Sequence, residues 1–183
     1  MEIKRKKGFT LIETLVAIGA MASIGVLIAQ VFFTTTRSNT KTELLKDVKQ
    51  NGDYATEVIS RMIRNSIKTN SACSSAGTPL TSLEIVNADG GVTRFECVFD
   101  NSVARIASTS ALSGRTDFIT STNVTLGGAS CVDPITSLQF TCVSNVDQPP
   151  QISLQFQLSQ RGTSTAQFEK ASIRFETTVL PRN

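Results

Sequence analysis

Four cysteines carry the most evident side-chain chemistry of this sequence: Cys73, Cys97, Cys131 and Cys142. None of them forms a Cys-x-x-Cys pair, and the chain has no histidine, which excludes histidine-dependent catalytic triads and histidine-ligated metal sites. An even number of cysteines without metal-ligand spacing predicts two disulfides, formed in an oxidising compartment. The alternative is four reduced cysteines that act as small core residues. Three pairings are open, and the separations along the chain favour Cys73 with Cys97 and Cys131 with Cys142.

Other groups that could catalyse a reaction or bind a metal are few. A serine–lysine dyad needs a lysine beside a nucleophilic serine, and beyond residue 70 the sequence has only Lys170. Four aspartates fall in predicted loops, where calcium could bind, but they form no Asp-x-Asp-x-Asp-Gly loop and aspartate is an ordinary turn residue: Asp89, Asp100, Asp133 and Asp147. We therefore predict no enzymatic activity, no cofactor and no metal site.

Glu13 is the only charged residue in the apolar segment from Phe9 to Phe33. A carboxylate inside an apolar helix costs about 2.5 to 3.5 kcal/mol on membrane-insertion scales, so something must compensate it. One interpretation is that Glu13 reaches the lipid headgroups or gains from the positive end of the helix dipole. The other is that a partner protein supplies a cation. The second interpretation gives Glu13 a role in binding that partner.

The segment from Phe9 to Phe33 exceeds the roughly 20 apolar residues that span a bilayer as a helix. A cleaved secretory signal would have a shorter apolar core of roughly 7 to 15 residues. The basic cluster Lys4–Lys7 should stay in the cytoplasm, which places residues from Thr34 onward outside the cytoplasmic membrane. We therefore predict a single-pass inner (cytoplasmic) membrane protein. An uncleaved, simply anchored ectodomain is an alternative.

The positive charge of the chain belongs to its first eight residues. The formal net charge is +3, and it arises because Lys4, Arg5, Lys6 and Lys7 outweigh Glu2, while the rest of the chain is neutral. No stripe of lysine and arginine with interleaved aromatic residues remains to follow a phosphate backbone. Nucleic acid is therefore not indicated as a partner.

The stretch from Lys6 to Ile18 reads KKGFTLIETLVAI. With its basic cluster, glycine, phenylalanine and single glutamate before a long apolar run, it resembles the N-terminus of type IV prepilins and type II secretion pseudopilins. The resemblance implies that a prepilin peptidase cuts between Gly8 and Phe9 and N-methylates Phe9. It also implies that Glu13 pairs with the terminal amine of a neighbouring subunit during assembly.

By this resemblance, the chain is expected to be a subunit of a type IV pilus or a type II secretion-type filament. The implied partners are other pilin or pseudopilin subunits, the prepilin peptidase, an inner-membrane assembly platform and membrane lipid. No proline interrupts residues 9–33, and the C-terminal strand pattern ends in Leu180-Pro181, which favours a minor, J- or W-like subunit. A binding module that uses the pilin anchor, an adhesin or a DNA-uptake receptor, is the alternative function.

Beyond the membrane segment, apolar residues recur every three or four positions up to Ile67 and predict one face of an amphipathic helix. This helix should continue from the membrane segment and stop near Asn70. Asn51-Gly52 interrupts the pattern, so we expect a kink or local loosening there. Residues 34–42 contain almost no apolar side chain, and we expect them to fray.

The rest of the chain alternates apolar and polar residues in short runs, which predicts strands. Asp89-Gly90-Gly91 and Asp100-Asn101 predict hairpin turns between the first three. The predicted strands cover residues 83–86, 92–99, 103–107, 138–142, 152–158 and 171–179. The expected fold class is α+β, pilin-like: a long N-terminal helix packed on an antiparallel β-sheet domain. The predicted segments are the leader (1–8), the transmembrane helix segment (9–33), its amphipathic continuation (34–70) and a β-rich globular domain (71–183).

Overall fold

The computed structural model describes residues 8–127, 131, 138–144, 149–162 and 171–181. The chain divides into two compact units, Met1–Thr40 (the N-terminal unit) and Lys41–Asn183 (the C-terminal unit). One long helix, α1 (Leu11–Arg64), has residues in both units.

In the N-terminal unit, helix α1 buries no side chain within the chain itself. Its large apolar side chains from Leu11 to Phe33 are 57% to 78% exposed. The predicted fraying of residues 34–42 is wrong, because the helix continues through them. The hydroxyls of Thr34, Thr36 and Thr40 each donate a hydrogen bond to the carbonyl four residues earlier, which satisfies these polar groups without leaving the helix.

The C-terminal unit contains ten strands in the described part of the chain. They are β1 (Lys68–Thr69), β2 (Thr78–Leu80), β3 (Ser82–Val86), β4 (Val92–Asp100), β5 (Val103–Ser110), β6 (Thr116–Phe118), β7 (Val124–Thr125), β8 (Gln139–Val143), β9 (Gln151–Gln160) and β10 (Ser172–Val179). Each of the six predicted strands is confirmed, with ends shifted by a few residues. The four shortest strands, β1, β2, β6 and β7, are not predicted, because two or three residues are too few to show an alternating pattern.

The strands form two antiparallel sheets. The first has the order β1-β3-β4-β5-β6, and the second has the order β10-β9-β8-β2, with β7 also pairing with β9. The hairpin β3–β4 turns at Gly90, whose φ of 81° lies in the left-handed region. The predicted turn at Asp100-Asn101 joins β4 to β5, with Asp100 paired to Val103.

The hydrophobic core lies between the C-terminal part of helix α1 and the sheets. The helix contributes Val48, Ala55, Ile59 and Ile63 at successive spacings of seven, four and four, which is one helical face. The sheets contribute the inward-facing side chains of their alternating strands; the largest of them are Leu83, Ile85, Phe95, Ile106, Phe140, Ile152, Leu154 and Phe156. The predicted pilin-like α+β fold, a long helix packed on antiparallel sheet, is confirmed.

Gly52 packs closely against strand β10, and the predicted local loosening of the helix there is wrong. Helix α1 is continuous through residue 52, and a Cβ at this position would overlap the ring of Phe175. That ring also stacks on Phe156, with centroids 5.1 Å apart. Next to it, Asn51 Nδ2 donates to Asp47 O (2.9 Å) and Asn51 Oδ1 accepts from the backbone N–H of Ser121 (3.0 Å). The Asn51-Gly52 pair therefore fits the helix against the strands instead of loosening it.

The helix ends at Arg64, earlier than the expected end near Asn70. Ser66 Oγ donates to the carbonyl of Ile63 (2.7 Å), which satisfies a carbonyl of the last turn. The Ile67 N–H then donates to Val86 O (2.8 Å), and Lys68–Thr69 pair with β3. Sheet pairing therefore competes successfully with the helical pattern that reaches Ile67.

Candidate processing and assembly site

The residues of the predicted processing site lie at the start of the described chain. Gly8, Phe9 and Thr10 are outside any helix or strand, and helix α1 begins at Leu11. The side chain of Phe9 is 84% exposed. A Cβ at Gly8 would meet no atom within 4 Å. Among the residues that the structure describes, none therefore crowds the Gly8 side of the bond to Phe9.

Glu13 lies in the first turn of helix α1, close to this bond in sequence. Its Oε2 accepts hydrogen bonds from the backbone N–H and from the hydroxyl of Thr10, both at 3.0 Å. The backbone N–H of Glu13 in turn donates to Thr10 Oγ1 at 3.3 Å. This reciprocal pattern is a capping box, in which Thr10 is the N-cap and Glu13 is the third helical residue. The carboxylate thus has partners within its own chain.

Helix α1 contains one segment that is long and apolar enough to cross a membrane. An 18-residue window of the helix has a mean hydropathy of 2.2, and none of it is buried within the chain.

Residues 3–29 match the family described as the prokaryotic N-terminal methylation motif. The chain carries this methylation motif. The match contains Gly8, Phe9, Thr10 and Glu13 together with the first apolar turns of helix α1. No curated protein and no solved structure matches the chain.

The methylation motif is a signal of the type IV pilin and pseudopilin class. It implies a pilin-like subunit that is processed by prepilin peptidase and associates with other pilins, a structural role and not an enzymatic one. The long helix followed by antiparallel sheet fits the same class. The apolar helix near the N-terminus is consistent with the single-pass membrane anchor of such a subunit.

The structure contains two disulfides, as predicted, but the favoured pairing is wrong. Cys73 bonds to Cys142, at a sequence separation of 69, and Cys97 bonds to Cys131, at a separation of 34. The reason is sheet topology. Strand β2 pairs with β8, which brings the chain next to Cys73 alongside Cys142, whereas Cys97 lies on β4 of the other sheet. Neighbours in space are therefore not neighbours in sequence.

Thr10 is the site residue that the sequence reasoning missed. Its contribution could have been found, because a Thr-x-x-Glu pattern before an apolar run predicts a capping box at a helix start. Asn51 was also missed, because its partner Ser121 is distant in sequence and no local pattern indicates the contact.

Proposed function

We propose that this protein is a prepilin-like subunit, cut between Gly8 and Phe9, N-methylated at Phe9 and assembled into a type IV pilus or type II secretion-type filament. The observation that carries the proposal is the methylation motif at residues 3–29, which falls on an exposed, non-helical Gly8–Phe9 bond directly before an apolar helix. A peptidase that works at the membrane surface needs both features: an accessible bond, and an apolar anchor that holds the bond near the bilayer.

The surroundings of Gly8 make its role in processing testable without disturbing the fold. Gly8 does not adopt a positive φ, and a side chain there would contact nothing within 4 Å. The fold therefore has no need of glycine at this position, and a requirement for glycine would come from the peptidase.

The experiment is co-expression of the full chain with a prepilin peptidase, followed by mass spectrometry of the N-terminal residue. The parent should begin at methylated Phe9, and Gly8→Leu should keep residues 1–8. Gly19→Leu is the matched control, because Gly19 has equally empty surroundings but lies within the helix, and it should be cut like the parent. Normal trimming of Gly8→Leu would contradict the proposed site. An uncut parent would favour a plain membrane anchor.

For Glu13 we propose an exchange of partners during assembly. In the single chain its carboxylate accepts hydrogen bonds from Thr10, as a group in an apolar layer must find some partner. In the filament, the methylated amine of a neighbouring Phe9 would replace these uncharged donors with a cation. A charged partner makes a stronger hydrogen bond than a neutral one, so the exchange favours assembly.

The membrane topology follows from charge and from the cysteines. Lys4, Arg5, Lys6 and Lys7 should hold the leader in the cytoplasm, and the C-terminal unit would then lie outside it. Two disulfides in the C-terminal unit support this, since such bonds persist in oxidising compartments. In this orientation the subunit would contact membrane lipid, the inner-membrane assembly platform and other subunits.

A minor, J- or W-like position in the filament is the finer part of the proposal. It is supported by the absence of proline from residues 9–33, where many major pilins carry one. Quantitative mass spectrometry of purified filaments should then find this chain in much lower amount than the principal subunit. Equal or greater amounts would identify it as the major subunit.

A further inference from the structure

Thr10 fixes the point at which helix α1 begins. Its hydroxyl accepts a hydrogen bond from the backbone N–H of Glu13 (3.3 Å), and its carbonyl accepts the first helical bond, from Thr14 N (3.2 Å). Its own N–H donates to Glu13 Oε2 (3.0 Å) and so needs no carbonyl acceptor from a preceding helical turn. The capping box thus satisfies two of the four backbone N–H groups that the first turn of a helix leaves unpaired, those of Thr10 and Glu13, and so stabilises a helix start at this position.

The consequence lies just before the helix. Phe9 and Gly8 are left outside it, with the Phe9 side chain 84% exposed. Leader removal adds water to the carbonyl carbon of Gly8 and breaks the C–N bond to Phe9, which leaves a carboxylate on Gly8 and an amine on Phe9. A peptidase must approach that carbonyl carbon from one side, which a helical turn around the bond would obstruct.

We propose that Thr10 is a positioning residue for leader removal: its cap holds the Gly8–Phe9 bond in non-helical chain, ready for the peptidase. This inference rests on the proposed cleavage site. Glycine alone gives a weak helix stop, because one glycine disfavours a helical conformation only modestly and the lysines before it are good helix formers. The capping box adds a second, stronger boundary two residues further on.

The effect of the Thr10 cap on cleavage can be tested separately from the effect of the Glu13 carboxylate. The bond that sets the helix start joins the Thr10 hydroxyl to the backbone N–H of Glu13, so it does not require the Glu13 carboxylate. Removal of the Glu13 carboxylate should therefore leave cleavage nearly intact, whereas removal of the Thr10 hydroxyl should not.

The experiment uses the full-length precursor in detergent micelles with purified prepilin peptidase. Thr10→Ala and the isosteric Thr10→Val should each be cut about fivefold more slowly, the effect expected from loss of a typical N-cap, and Thr10→Ser should restore the rate. Thr14→Val is the matched control: the Thr14 hydroxyl donates to Leu11 O (2.8 Å) within the same turn but caps nothing, so its loss should not change the rate.

A second measurement separates positioning from direct recognition of the hydroxyl. Carbonyl ¹³C shifts of Gly8 and Phe9, in precursor labelled at these two residues, should move toward helical values in Thr10→Ala and return in Thr10→Ser. Slow cleavage without this shift would overturn the inference, because the peptidase would then recognise the Thr10 side chain directly. Cleavage of Thr10→Ala at the parent's rate would also overturn it. A parent that is not cut at Gly8–Phe9 is a different result, since it removes the proposed function as well.

Discussion

The two units of the chain differ in how far the apolar side chains of helix α1 are exposed. Along Leu11 to Phe33 in the N-terminal unit, every large apolar side chain is more than half exposed. In the C-terminal unit, Ala55, Ile59 and Ile63 of the same helix are fully buried against the sheets. The C-terminal unit thus completes its core with its own strands, whereas the N-terminal unit needs lipid or other helices. Substitutions in the first unit should affect insertion and assembly, and those in the second should affect stability.

Glu13 offers the largest expected effect, on assembly. If a neighbouring amine compensates a carboxylate that costs about 2.5 to 3.5 kcal/mol in the apolar layer, its loss should reduce filament incorporation more than about tenfold. Glu13→Leu should insert into the membrane as well as the parent or better, because the burial cost disappears. The measurement compares the mature membrane pool with the sheared filament fraction.

Glu13→Gln sharpens this test, because glutamine can still accept from Thr10 in a capping box but carries no charge. We expect it to assemble as poorly as Glu13→Leu. Glu43→Gln, an exposed carboxylate of the same helix outside the apolar segment, should assemble normally. If Glu13→Gln assembles like the parent, the cap or the helix dipole explains Glu13, and no interchain pair is needed.

The disulfides should dominate the stability of the C-terminal unit. Loss of either bond gives the unfolded chain more conformational entropy and so destabilises the folded state. In the loop-entropy account, closing loops of 69 and 34 residues contributes about 4 kcal/mol each to the free energy of unfolding. The double variant Cys73→Ser/Cys142→Ser should lose about 0.6 kcal/mol more than Cys97→Ser/Cys131→Ser, because its loop is longer. Urea unfolding of the full chain in micelles gives both values. Equal losses, or a larger loss for the shorter loop, would mean that local packing outweighs chain entropy here.

Local patterns in the sequence predicted what is local in the structure. The methylation motif, the apolar anchor, and the alternating runs that became β3, β4, β5, β8, β9 and β10 each depend on neighbouring residues only. The helix end and the four shortest strands were missed, because pairing between distant segments decides them. Lys68–Thr69, for example, leave the helical pattern to pair with Val86 and Ile85.

The same distinction explains the errors about chemistry. The pairing of Cys73 with Cys142 depends on β2 lying beside β8, and sequence separation carries no information about it. Gly52 looked like a helix breaker because its partner, Phe175, stands on the last strand. The Thr10–Glu13 capping box, by contrast, is a local four-residue pattern that the sequence could have predicted.

Gly52 and Gly19 allow one substitution to be tested in both units. Gly52→Ala should destabilise the C-terminal unit by about 1 to 3 kcal/mol, because the new methyl group overlaps the ring of Phe175. Gly19→Ala meets no atom within 4 Å, so helix propensity alone should favour it by about 1 kcal/mol. Urea unfolding measures the first effect, and amide exchange around residue 19 in micelles measures the second.

A double-mutant cycle connects the Gly52 effect to its cause. If the clash with Phe175 is responsible, Gly52→Ala should cost much less in a Phe175→Ala background, and the two substitutions should not be additive. Additive effects would show that Gly52→Ala destabilises the protein for a reason other than the clash with Phe175, such as loss of the hydrogen bond between Asn51 and Ser121.

Ser102 gives the smallest expected effect, and it is a gain. Asn101 and Ser102 form the two-residue turn between β4 and β5 with φ of 48° and 65°, as a type I′ turn requires. Asparagine tolerates the left-handed region, but serine pays a steric cost there that glycine does not. Ser102→Gly should therefore raise the free energy of unfolding by about 0.5 to 1 kcal/mol. Ser108→Gly, the same substitution in the regular part of β5, should lower it by a similar amount because glycine weakens a strand interior. If both substitutions destabilise, the turn is not strained at Ser102, and the left-handed conformation there is held by contacts that the serine side chain itself makes.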